Sequence, residues 1–95
     1  MEKRELYLEK IRAEIDQYSA KLAGMRGKAN EVQADIKLEY LNQVEKLEGK
    51  KDSLKEKYEQ LSKSSESSFE DIKKGTESAW KELKESVSKA TKHFK

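Results

Sequence analysis

The sequence predicts an all-α fold, in which a long amphipathic coiled-coil helix is followed by a shorter helix that folds back as an antiparallel helical hairpin. Three observations predict it: apolar residues recur every three or four positions over residues 8–61, proline is absent, and charged residues make up 42% of the chain against 34% apolar residues. A narrow seam between helices needs fewer apolar residues than a broad globular core. The 95 residues are therefore expected to form one all-helical domain.

The first predicted element is a helix over about residues 3–62. Its N-terminal half carries apolar residues that are spaced alternately by three and four, which is the a/d pattern of heptads. These residues are Leu8, Ile11, Ile15, Tyr18, Leu22, Met25, Ala29, Val32 and Ile36. An eleven-residue step from Ile36 to Leu47 follows, and heptad spacing then returns. A continuous helix of this length would extend about 90 Å.

Two glycines, Gly24 and Gly27, lie inside this apolar stripe. Each destabilises a helix interior by about 1 kcal/mol relative to alanine. The heptad phase nevertheless continues through Met25 and Ala29, which favours one continuous helix, because a turn would normally reset the phase. The alternative is a compact three-helix bundle with a turn at Gly24–Asn30.

A serine-rich linker over residues 62–67 is predicted to end the long helix, since serine favours caps and turns over helix interiors. Ser67 and Glu70 have the spacing of a capping box. Acidic residues near the start and lysines near the end suit the dipole of a helix that follows. The sequence therefore predicts a second helix over about residues 68–94.

An eleven-residue repeat indicates how the second helix packs. Phe69 and Trp80 hold equivalent positions in the repeat, and three helical turns take nearly eleven residues, so both lie on one side. The same step from Ile36 to Leu47 indicates that this half of the long helix forms the hairpin. The predicted hairpin-packing residues are Ile36, Tyr40, Val44, Leu47, Leu54, Tyr58, Leu61, Phe69, Ile72, Trp80, Leu83, Val87 and Phe94.

The second helix is long enough to cover only residues 36–61 of the stripe. The remaining apolar residues would be exposed in a monomer, which predicts self-association as a homodimer or a higher oligomer. The predicted oligomer interface consists of Leu8, Ile11, Ile15, Tyr18, Leu22 and Met25.

The residues that most metal, redox and nucleophilic sites need are scarce. The chain has no cysteine, and its one histidine, His93, lies two residues from the end, so neither a disulfide nor a transition-metal site is predicted. The four glycines do not form a phosphate-binding loop, and the carboxylates lie mostly on outer helix faces. We therefore predict no enzyme activity, no catalytic residues, no metal and no cofactor.

Charge and hydropathy do not favour nucleic acid or a membrane span. The chain has 21 basic and 19 acidic residues, for a net charge of +2, and acidic residues accompany the densest basic clusters. The N-terminus is not followed by the apolar run of a signal peptide, and no stretch approaches a membrane span. A cytoplasmic location without a nucleic-acid partner is expected.

The chain resembles a family of short bacterial coiled-coil proteins that are labelled stress-response or simply coiled-coil proteins. The likeness rests on Ile36-Lys37-Leu38-Glu39-Tyr40, on Phe69-Glu70-Asp71-Ile72-Lys73-Lys74-Gly75, on Ala79-Trp80-Lys81-Glu82-Leu83-Lys84 and on the closing Phe94-Lys95. The resemblance covers nearly the whole chain. It implies no known enzyme activity and no established ligand, and it associates the chain with stress.

Three functions fit these patterns. The first is a non-enzymatic, oligomeric coiled-coil interaction or scaffold protein that binds itself and other proteins. The second is a peripheral protein that lays its C-terminal amphipathic helix on a lipid surface. The third, least favoured, is a protectant that is disordered in dilute solution.

Overall fold

The chain forms a three-helix bundle, described here for residues 3–94 from a computed structural model. Helix α1 spans Lys3–Gly27, a 3₁₀ turn spans Lys28–Glu31, α2 spans Ala34–Lys63 and α3 spans Glu66–His93. Helix α2 runs antiparallel to α1 and α3, so α1 and α3 run parallel to each other. The predicted all-α class and the hairpin of the last two helices are confirmed.

The predicted continuous helix over residues 3–62 is wrong. Val32 and Gln33 are extended, with φ/ψ of −79°/143° and −57°/141°. Gly24 lies within α1 and Gly27 ends it, and neither adopts a positive φ. The molecule is therefore 51 Å long, and its architecture is the alternative three-helix bundle with the turn slightly later than Gly24–Asn30. The heptad phase marks which residues face the core, and it does so equally when α1 folds back on α2.

The residues predicted to form an exposed oligomer interface lie inside the monomer. Ile11, Ile15 and Leu22 are buried, whereas Leu8, Tyr18 and Met25 are half-buried. The expectation that a monomer exposes them is wrong, because α1 packs on the other two helices of its own chain. Their burial removes the reason for self-association through this surface.

The predicted hairpin-packing residues are buried or half-buried in the bundle, with one exception. Ile36 is 37% exposed, so its prediction as a packing residue is wrong. The end of α3 lies beside the first turns of α2, where His93 meets Glu39 and Phe94 meets Tyr40. Ile36 precedes this level and therefore extends beyond the reach of α3.

The link between α2 and α3 is shorter than the predicted linker over residues 62–67. It consists of Ser64 and Ser65, and α3 begins at Glu66 rather than near residue 68. Ser65 is the N-cap residue, and its carbonyl accepts hydrogen bonds from the N–H groups of Ser68 and Phe69. The predicted capping box is wrong, because Ser67 already lies within the first turn of α3.

Arg4 fastens the start of α1 to this link. Its Nη2 donates to the carbonyl oxygens of Ser62 and Ser64 at 3.3 and 2.7 Å. The last carbonyls of a helix lack intrahelical partners and carry partial negative charge, which a guanidinium satisfies well. The same guanidinium lies 4.8 Å from the centre of the Phe69 ring, so it joins all three helices.

Aromatic pairs connect α1 to α3. Tyr7 packs edge-to-face on Phe69 with ring centres 6.2 Å apart, and Tyr18 packs in the same way on Trp80 at 4.8 Å. The two tyrosines are eleven residues apart, as are Phe69 and Trp80. The eleven-residue repeat of α3 therefore matches a repeat on α1, which brings equivalent sides of two parallel helices together.

Leu54→Ala is expected to lower the free energy of unfolding by about 2–5 kcal/mol, because the side chain is fully buried between helices and its removal leaves a cavity. Leu38→Ala is the matched control on the same helix. Leu38 is 72% exposed, so its change should stay within about 0.5 kcal/mol. Urea unfolding measures both, and equal losses would contradict the burial of the α2 stripe.

A double-mutant cycle of Tyr18→Leu and Trp80→Leu is expected to give a coupling free energy of about 0.5–1.5 kcal/mol, because an edge-to-face pair stabilises beyond the area it buries. The cycle of Tyr18→Leu with Phe69→Leu serves as the control, since those rings do not pair. Urea unfolding again gives the values. Additive losses in the Tyr18 and Trp80 cycle would contradict the pairing.

Candidate interaction groove between α1 and α3

A groove opens between the C-terminal halves of α1 and α3. No Cα atom of α1 lies within 8 Å of a Cα atom of α3, whereas both helices approach α2 this closely. Aromatic rings fill the wide gap as far as Tyr18 and Trp80. Eleven residues beyond Trp80, Thr91 takes the equivalent position on α3, and its small, exposed side chain lies in the open part of the gap.

Two adjoining cavities of about 320 and 240 Å³ make up this α1–α3 groove, and both reach Thr91. Its base is apolar and consists mainly of the buried side chains of Val87 and Ala90. The complete lining is Tyr18, Lys21, Met25, Lys28, Tyr40, Lys84, Val87, Ser88, Ala90, Thr91, Lys92 and Phe94. The groove thus combines an apolar base with a polar rim, as many peptide-binding surfaces do.

Every charged side chain of the rim is a lysine. Lys21 and Lys28 stand on the α1 side, and Lys84 and Lys92 stand on α3. Among residues 3–94, no carboxylate lies within 4.0 Å of these four ammonium groups. For Lys21, Lys28 and Lys92 the sequence explains this, because residues 17–30 and 86–94 contain no aspartate or glutamate, whereas Lys84 has Glu82 and Glu85 close by in the chain. The groove therefore attracts anionic groups.

The α2 side of the bundle differs, because acidic side chains lie among its basic ones and some of them pair. Arg26 binds Glu48 through two hydrogen bonds of 2.9 and 2.6 Å. His93 lies 3.1 Å from Glu39. A cavity of about 440 Å³ between α2 and α3 includes Glu39 in its lining. This cavity is larger than either of the two cavities of the groove taken singly, but its mixed charges select no particular partner.

The shifted pKa values have structural causes. The hydrogen bond from Arg26 lowers the pKa of the Glu48 carboxyl, and the same bond raises the pKa of Arg26. Burial raises the pKa of the Tyr40 hydroxyl, which donates to the carbonyl oxygen of Met25 at 2.5 Å. Burial, followed by the nearby Glu77 carboxylate, raises the pKa of the Tyr7 hydroxyl. The Arg26–Glu48 and Tyr40–Met25 hydrogen bonds each hold α1 against α2.

Some of the residues that the sequence analysis predicted for the oligomer interface and for hairpin packing line this groove, and the others do not. Tyr18 and Met25, predicted for an oligomer interface, line it together with Tyr40, Val87 and Phe94, which were predicted to pack in the hairpin. Sequence reasoning missed the lysines of the rim. For Lys21, Lys28 and Lys92 a signal was present as two acid-free segments, but only the parallel placement of α1 and α3 brings those segments together.

Two properties of the described residues bear on other functions. No helix within residues 3–94 has a stretch long and apolar enough to cross a bilayer. Over the same residues, no group of three histidine, cysteine, aspartate or glutamate side chains is arranged to hold a metal ion.

Comparison of the chain with family models, with curated proteins and with solved structures finds no match. The resemblance to short bacterial stress-response coiled-coil proteins stays a prediction.

Arg26→Gln is expected to raise the pKa of Glu48 towards its ordinary value of 4.5, because the main cause of the lowering is lost. In the native chain the lowered pKa means that the pair stabilises the fold above pH 4.5 and that this contribution is lost as the pH falls through the lowered pKa. An NMR titration of the Glu48 carboxyl measures the shift. Arg12→Gln is the control, and an unchanged Glu48 pKa in Arg26→Gln would contradict the account.

Proposed function

We propose that the protein is a non-enzymatic interaction module, which binds an acidic amphipathic helix of a partner protein in the α1–α3 groove. The observation that carries the proposal is the unpaired lysine rim above an apolar base. Such a surface suits a ligand with apolar residues on one side and carboxylates on its flanks.

A helix fits the groove better than an extended strand does. The open part of the α1–α3 groove begins at Trp80 and extends past Thr91 along α3, a distance of about 16 Å or three helical turns. Helices α1 and α3 are parallel and already separated, so a partner helix lying between them would complete a four-helix bundle. Ser88 and Thr91 are small and exposed, which lets a partner backbone approach closely.

The charges of the rim would orient and select the partner. Lys21 and Lys84 face each other across the groove from α1 and α3, so carboxylates on both flanks of a docked helix each find an ammonium group. Exposed ion pairs contribute little individually and weaken in salt. Apolar contact with the base therefore supplies most of the affinity, while the lysines supply the preference for acidic partners.

The lipid-surface alternative requires more rearrangement. The apolar side of α3 includes Leu83 and Val87, which are buried against the other helices, so the helix would have to leave the bundle to lie on a membrane. We place the protein in the cytoplasm as an interaction or scaffold protein. The association with stress that the resemblance implies belongs to the same proposal.

Fluorescence anisotropy with a labelled synthetic peptide tests the proposal. The peptide has leucines at helical i, i+3, i+4 and i+7 spacing and glutamates on both flanks, and its control has lysines in place of the glutamates. The acidic peptide is expected to bind and the basic peptide is not. Raising the salt concentration should weaken the binding of the acidic peptide.

Lys21→Glu combined with Lys84→Glu is expected to weaken peptide binding at least about tenfold, since each reversal replaces an attraction of about 1 kcal/mol with a repulsion. The matched control combines Lys55→Glu with Lys63→Glu, two exposed lysines on α2, and should change affinity less than twofold. Equal losses in the two double variants would contradict a specific groove. Binding of anionic vesicles, with a blue shift of Trp80 fluorescence and no peptide binding, would favour the lipid-surface function instead.

A further inference from the structure

Only Val32 and Gln33 prevent α1, the 3₁₀ turn and α2 from forming one continuous helix. The 3₁₀ turn at residues 28–31 is already close to helical geometry, and Val32 and Gln33 alone are extended. Residues 3–63 contain no proline, and no described residue has a positive φ. Rotation about the ψ angles of Val32 and Gln33 would therefore join the two helices into one.

The apolar stripe keeps its heptad spacing across Val32 and Gln33, which we call the hinge. Met25, Ala29, Val32 and Ile36 follow one another at spacings of four, three and four, in step with the heptads before them. In the closed chain this spacing places Met25, Ala29 and Val32 against the core, and in a continuous helix the same spacing would keep one seam. The sequence thus fits two arrangements of the same helices.

The hinge region is the least well covered part of the stripe in the closed chain. Ile36 is 37% exposed and Val32 is only half-buried. Both side chains would become more buried if another helix packed across the hinge. The closed monomer has no further helix to supply, since α3 ends beside Glu39 and Tyr40.

We infer that two copies of the chain form a dimer by exchanging α1, with each copy straightened at Val32 and Gln33. Helix α1 of one copy would then occupy, on the second copy, the place that its own α1 leaves. The contacts of the closed chain would be kept across the dimer, including the pair of Arg26 with Glu48 and the bond from Tyr40 to Met25.

The register of the closed hairpin locates the two-fold axis of this dimer. Arg4 contacts Leu61 and Met25 contacts Tyr40, pairs whose numbers add to 65, whereas the numbers of Arg26 and Glu48 add to 74. Two antiparallel copies that keep these contacts would therefore cross near the hinge, between residues 32 and 37. Ile36 of each copy would lie near this crossing and against the second copy, which covers the side chain that the monomer exposes.

The two states differ in how they depend on concentration. In the monomer α1 is tethered to its binding surface, which gives it a high effective concentration, so the closed form dominates in dilute solution. The dimer adds contacts at the hinge and is favoured as concentration rises. Exchange requires α1 to leave the bundle, so refolding from urea at high protein concentration is the efficient route to the dimer.

Gln33→Pro separates the two states. Proline fits the closed chain, because Gln33 has φ −57°, Val32 has ψ 143° and the Gln33 N–H donates no hydrogen bond among the described residues. In a continuous helix the same proline is strongly unfavourable. Gln33→Pro is expected to lower the dimer association constant at least about 100-fold in sedimentation experiments on samples refolded at high concentration.

Two further variants complete the design. Gln33→Ala is the matched control, and it should dimerise at least as well as the native chain because alanine favours helix. Ile36→Glu should weaken the dimer at least about tenfold and leave the helical circular dichroism of the dilute monomer unchanged, since Ile36 lies at the monomer surface. Equal dimerisation of Gln33→Pro and Gln33→Ala would overturn the inference, as would a native chain that stays monomeric after concentrated refolding.

Energy transfer distinguishes exchange of α1 from side-by-side association. The chain has no cysteine, so Lys10→Cys combined with Glu56→Cys allows two dyes to be attached at exposed positions. These residues lie at about the same level of the closed hairpin and would be about 70 Å apart along a continuous helix. A doubly labelled chain refolded with excess native chain should lose most of its transfer in the dimer fraction. A dimer that keeps the transfer of the monomer would overturn the inference.

Discussion

The departure of Val32 and Gln33 from helical geometry determines how the rest of the chain is organised. An apolar stripe that runs over residues 8–61 must be buried, and a single straight helix cannot bury its own stripe. The extended pair lets α1 fold back on α2, and the short Ser64–Ser65 link lets α3 fold back in turn. The core, the α1–α3 groove and the exposure of Ile36 all follow from these two reversals.

Much of the fold could be predicted from periodicity. The all-α class and the antiparallel pairing of the last two helices follow from the spacing of apolar residues. The break after α1 could not be predicted in the same way, because Val32 and Gln33 carry no turn chemistry and the heptad phase passes through them. The heptad phase indicates which side of a helix is buried. It does not indicate whether the helix that covers this side belongs to the same chain.

The site was less predictable than the fold. Residues such as Tyr18 and Val87 could be recognised as apolar, but their joint position depends on the parallel alignment of α1 with α3. The lysines Lys21 and Lys84 are 63 residues apart and become neighbours only through the aromatic pairs that set this alignment. A polar rim formed by two distant segments is a property of tertiary structure, and the segment around Lys84 even contains Glu82 and Glu85.

The proposed exchanged dimer keeps the helix–helix contacts of the closed bundle, adds contacts at the hinge and differs in the backbone of mainly two residues. The chemical shifts of Cα and Cβ at Val32 and Gln33, measured by NMR on a dilute monomeric sample, report that backbone most directly. The account predicts extended values at both residues between helical values on either side. Helical values at Val32 and Gln33 in the monomer would contradict it.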